Sequence, residues 1–83
     1  MTHVDLYRKL RGEPFKPFRV KCVTGTTYDI VGPWMIIPGD SSAVVVTRIK
    51  RDEKGYVIAD DWRTVSISHM IEFSDLNIKP DSR

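Results

Sequence analysis

Two prolines three residues apart, Pro14 and Pro17, decide the layout of this chain. Each ring fixes φ near −65°, removes a backbone donor, and pushes the preceding residue toward extended backbone. No helix or ladder can run through this stretch. The segment Pro14-Phe15-Lys16-Pro17-Phe18 therefore reads as a rigid corner between a short N-terminal element and everything after it. Phe15 and Phe18 are expected to anchor the corner in the core.

The piece before the corner predicts a helix over residues 2–11. Thr2 can accept from an orphan N–H at the helix start, and Asp5 places a carboxylate at the positive dipole end. Val4, Leu6, Tyr7 and Leu10 recur at helical spacing. Asp5 and Lys9 form an i,i+4 pair, and Arg8, Lys9 and Arg11 crowd the last turn, where cations suit the carbonyl end. Gly12 and Pro14 stop the helix.

After the corner the period changes to two. Phe18, Val20 and Cys22 share one side of a strand, and Arg19 and Lys21 share the other. Thr24-Gly25 reads as a hairpin turn, Tyr28 and Ile30 continue the second strand, and Gly32-Pro33 ends it. Trp34 to Ile37 is a short apolar stretch, read as a short strand or a buried loop, and Pro38 to Ser42 is a loop. Ala43 to Ile49 is the strongest strand signal. Ala43, Val45, Thr47 and Ile49 lie on one face of it, and Val44, Val46, Arg48 and Lys50 on the other. Valines on both faces predict cover on both sides, by the helix or by another subunit. Arg51 to Gly55 reads as a polar turn, Tyr56 to Ala59 as a strand, Asp60-Asp61 as a tight turn, and Trp62 to Ile67 as a further strand. Met70, Ile71 and Phe73 supply the last apolar stretch.

The fold class that follows is α+β, mainly β: a short N-terminal helix and about five antiparallel strands curled into a small Sm/SH3-like barrel. The helix is expected to cap one opening. The alternative is an open antiparallel sheet with the helix across one face. A two-sheet sandwich looks too large for so short a chain. Residues 1–76 are expected to form a single domain, and 77–83 a polar, frayed tail containing Pro80.

From Pro14 to Val20 the chain resembles a group of small bacterial proteins with a short N-terminal helix, a Pro-Phe-Arg/Lys-Pro-Phe corner and a basic strand. A glycine turn and a Tyr-x-Val-like strand follow in that group, matched here by Gly25, Tyr28 and Ile30. The resemblance covers roughly the first 31 residues and implies an architecture, with no activity attached. Where the group often carries His-Pro-Glu after the second strand, this chain has Gly32-Pro33-Trp34. More loosely, a helix followed by a curled set of five strands resembles the Sm-like small barrel, whose members form rings by edge pairing and bind RNA. The Asp and Met-Asn signature of that family is absent.

Composition limits the function classes. The chain has 83 residues, 41% hydrophobic and 29% charged, and a net charge of +2. A domain of this size buries only about 60% of its unfolded surface, so it has little stability to spare. The charge is uneven: residues 1–21 carry six basic and two acidic side chains, while the remainder is slightly acidic. A single cysteine, Cys22, excludes an intrachain disulfide and favours a reducing compartment. The N-terminus lacks the apolar stretch of a signal peptide, and no apolar run approaches the ~20 residues that span a bilayer. A cytoplasmic location with no membrane partner is expected.

Catalysis needs a positioned acid, base or nucleophile. His3 and His69 are far apart in sequence, and Ser66 and Ser68 beside His69 bring no orienting carboxylate. No catalytic residue, metal site or cofactor is expected, since zinc requires clustered ligands and phosphate loops require clustered glycines. Asp60-Asp61 is explained by turn chemistry. Two surfaces remain. Val44, Val46 and Trp34 form a candidate protein interface, which points to a non-enzymatic binding or assembly module acting through protein contacts, self-association included. Arg19, Lys21, Arg48 and Lys50 form a candidate nucleic-acid face if their strands are neighbours, with Trp34 or Trp62 available to stack on a base.

Overall fold

The helix begins where its cap is. In the computed structural model, which describes residues 2–78, α1 spans His3–Leu10. Thr2 and Asp5 close a reciprocal box: Asp5 N–H donates to Thr2 Oγ1 at 3.4 Å, and Thr2 N–H donates to Asp5 Oδ2 at 2.9 Å. Leu6 is fully buried, and Leu10 packs against the same core. Lys9 Nζ reaches Asp75 Oδ1 at 2.8 Å and ties the helix to the end of the strand that closes at Asp75.

Past the corner, β1 (Phe18–Cys22) pairs antiparallel with β2 (Thr27–Ile30), joined by a turn in which Gly25 has φ 89°. Only glycine adopts that angle without strain. Burial along β1 alternates as the two-residue period requires: Phe18, Val20 and Cys22 are buried, Arg19 and Lys21 exposed. On its other side β1 pairs with β6 (Met70–Asp75), giving the order β2-β1-β6. Phe18 sits at the centre of this sheet, with the Phe73 ring edge-on at 5.7 Å and the Phe15 ring tilted at 6.2 Å.

A second sheet has the order β3-β4-β5, from Ile36–Pro38, Ser42–Arg51 and Val57–Ser66. It contributes Ile36, Ala43, Val45 and Val65 to the one core that Phe18, Val20, Ile30 and Met70 enter from the first sheet and Leu6 from the helix. Two short 3-10 turns carry the chain between the sheets, Pro33–Met35 from β2 to β3 and Ile67–His69 from β5 to β6.

The α+β, mainly β class therefore holds, with one helix and six antiparallel strands among the described residues, and there the strands form two sheets and no closed barrel. The sheets remain two because each junction that closure would need, β2 to β3 and β5 to β6, is taken by a 3-10 turn instead of a ladder. Pro33 at the first of these cannot donate to a neighbouring strand. Asp60-Asp61 is likewise no turn: β5 runs through it unbroken. Trp34 and Met35 belong to the first 3-10 turn, and β3 starts at Ile36. Of the expected polar tail, residues 79–83 lie outside the described residues.

Candidate protein-contact surface

β4 and β5 are ten residues each, twice what the core can cover. Their inner halves, 42–46 and 62–66, hold Ala43, Val45 and Val65 in the core. Their outer halves, 47–51 and 57–61, run on as a two-stranded arm, and the molecule is accordingly elongated, 38 × 25 × 22 Å. The turn at the tip is organised by Asp52. Its Oδ1 accepts from Lys54 N–H and Tyr56 N–H, each at 2.9 Å, and Gly55 follows with φ 84°. Arg51 Nη1 donates to Gly55 C=O at 2.9 Å.

Register decides which side chains share the outer face of this sheet. Ile37 lies opposite Val44, and Val46 opposite Trp62. Directly opposed residues point to one side, so Ile37, Val44, Val46 and Trp62 form one apolar strip. Ile37 is 65% exposed and Trp62 57%, while Val44 and Val46 are half-buried. Further along the arm, Ile58 is 40% exposed, opposite Lys50. The ladder slips between Val46 and Ile49, beside Trp62. At the far edge, Trp62 N–H is held by Asp61 Oδ1 at 2.9 Å.

The basic residues are distributed otherwise. Arg19 and Lys21 stand on β1, in the middle of the first sheet, and Arg48 and Lys50 on β4, in the middle of the second, so the two strands are not neighbours. The condition for a four-cation face is not met. Arg19 is held by Asp29 through two hydrogen bonds, Nε to Oδ1 at 2.6 Å and Nη2 to Oδ2 at 3.1 Å. The bond from Arg19 holds the Asp29 carboxyl below its ordinary range, and the same bond raises the guanidinium. Arg48 and Lys50 both lean on Asp60, at 2.9 and 3.6 Å. Lys21 lies between Thr27 and Glu72 on the flanking strands.

Trp34 is half-buried in the crossover turn, on a different element from Val44 and Val46. Ser66 and Ser68 share a hydrogen bond at 2.9 Å between their hydroxyls, while exposed His69 uses its carbonyl to accept Val23 N–H at 2.8 Å. Cys22 is buried, and burial raises its thiol pKa. Among the described residues, no three His, Cys, Asp or Glu side chains gather to hold a metal ion, and no helix is long and apolar enough to cross a membrane.

Ile58 is a surface residue that strand-by-strand reading misses, and Trp62, read from the sequence as a base-stacking candidate, is not placed beside Val46 by it. One signal was available: residues 42–66 fold symmetrically about position 54, which places Trp62 opposite Val46 and Ile58 opposite Lys50. A turn at Asp60-Asp61 is incompatible with that symmetry. Comparison of the chain with protein-family models, curated proteins and solved structures gave no match.

Proposed function

We propose that this chain is a non-enzymatic assembly module acting through protein contacts, with a second copy of itself as partner, and that the second sheet and its arm are the contact surface. The observation that carries this reading is Trp62: more than half exposed, next to half-buried Val46, on a face that also shows Ile37. An indole buries 150–250 Å² when covered and dominates the energetics of the interfaces it enters. Contiguous apolar surface of this kind on a small domain marks a contact site. The charges around it oppose a polyanion, since Asp60 occupies both Arg48 and Lys50. A reducing, cytoplasmic setting accompanies the reading, because the fold carries one buried thiol and depends on its core alone.

Light scattering over a concentration series, up to about 1 mM, where even a 4 kcal/mol contact is half-populated, tests it. A mass rising above 9.6 kDa is expected. A strict monomer at the top of the series overturns the reading. A parallel titration with single-stranded RNA and duplex DNA at low salt is expected to show no salt-sensitive binding, and tight, salt-sensitive binding would establish nucleic-acid recognition in its place.

A further inference from the structure

We infer that the second copy joins along β5, edge to edge and antiparallel, with Trp62 on the two-fold axis. The inference rests on the assembly reading above and specifies its geometry. Among the described residues β5 is a free edge, ten residues long, and the stretch from Ile58 to Thr64 is exposed throughout. Proteins rarely leave so long an edge open, because its unpaired N–H and C=O groups form a template for another strand.

The direction of those groups follows from the ladder. Ile67 N–H donates to Ser41 C=O at 2.9 Å, one step beyond the ladder's end. From Ser42↔Ser66 to Val46↔Trp62 the register does not slip. Hydrogen-bonded and non-bonded pairs alternate in an antiparallel pair. Odd-numbered residues of this half of β5 therefore bond to β4, and the N–H and C=O of Trp62 and Thr64 point to the free edge. The Trp62 N–H agrees: it is met by the carboxylate of Asp61.

Charge then selects the register. A self-complementary contact between identical strands has a two-fold axis, and that axis can sit on several residues of β5. An axis through Asp60 or Asp61 opposes two carboxylates, and one through Arg63 opposes two guanidiniums. Like charges directly opposite are destabilising and unlike ones stabilising. Within β5 the axis through Trp62 is the one that opposes unlike charges, Asp61 with Arg63 of the second copy, twice by symmetry. Neither side chain has an ion-pair partner among the described residues, whereas Asp60 is already engaged by Arg48 and Lys50. On pairing, Asp61 exchanges the Trp62 N–H for a guanidinium, and the freed N–H takes the Trp62 carbonyl of the second copy. The two indoles meet on one face, and two three-stranded sheets become one of six.

Charge exchange tests this on the full chain by sedimentation or light scattering. Asp61→Arg alone and Arg63→Asp alone each oppose like charges twice and are expected to weaken self-association at least about tenfold. The double variant D61R/R63D restores the pairing, as does an equimolar mixture of the two single variants, now as a heterodimer. Both positions are exposed, and thermal melts close to the unsubstituted chain's confirm folding. Failure of both the double variant and the mixture to associate overturns the inference. A dimer indifferent to Asp61→Arg overturns the β5 register and leaves the assembly reading standing. A chain monomeric throughout overturns both.

Discussion

Arg19 and Asp29 face each other across the β1–β2 ladder and are joined by two hydrogen bonds, so the first cation of β1 is neutralised at home. A guanidinium in this two-point grip is rigid and poorly placed to reach a phosphate. The pair also has a pH signature. Bonding to Arg19 lowers the Asp29 pKa in the folded state, so its contribution to stability is fully present above the unfolded carboxyl's value and is lost as pH falls through the lowered one. Asp29→Asn removes the titrating group. The variant is expected to show a shallower loss of stability than the parent chain between about pH 5 and pH 2, read from urea midpoints. Both side chains are nearly half exposed, so the effect at neutral pH is small.

Phe18 shows where stability resides. It is wholly buried, contacts the rings of Phe15 and Phe73, and lies beneath Lys9 with Nζ 6.0 Å from its ring centre. Phe18→Ala is expected to cost about 3–5 kcal/mol. That is comparable with the whole stability of a marginal domain, so circular dichroism should report a largely unfolded chain at room temperature. Phe15→Ala, at a partly buried position, should still melt cooperatively.

The same contrast explains what could be read in advance. The Thr2–Asp5 cap, the corner at Pro14–Pro17 and the inward set Phe18, Val20, Cys22 follow from rules that act within a few residues, and each stands as expected. The number of sheets does not follow from such rules. It depends on the backbone at Pro33–Met35 and Ile67–His69, where a non-extended turn replaces one step of a ladder, and the pattern of apolar residues is blind to that choice. Asp60-Asp61 misleads for a related reason. Aspartate disfavours central strands, but β5 is an edge, and there Asp60 bridges Arg48 and Lys50 while Asp61 meets an outward N–H. The proposed contact surface is half visible: Val44 and Val46 show in the alternation of β4, but Trp62 joins them only once the hairpin register is known.

The arm should behave as a unit separable from the core. Gly55 holds φ 84° at its tip, and an added Cβ would meet no atom within 4 Å, so Gly55→Ala introduces backbone strain without a clash. About 1 kcal/mol is expected, concentrated in the arm. Hydrogen exchange should quicken at residues 48–51 and 57–60 while the amides of Val20 and Val45 keep their protection. Equal loss of protection in both regions would mean that the arm and the core open together.

Trp62→Ser separates contact from folding. An exposed edge residue supports little of the core, so thermal stability should change by no more than about 0.5 kcal/mol. Self-association should fall far more, since truncating a central tryptophan typically removes 2 kcal/mol or more, roughly thirtyfold in the dissociation constant. Val44→Ser on the same face is half-buried and should lose stability and association together. Sedimentation equilibrium beside a thermal melt reads both quantities from one preparation. If Trp62→Ser melts early and associates unchanged, the indole serves the fold and the contact surface lies elsewhere.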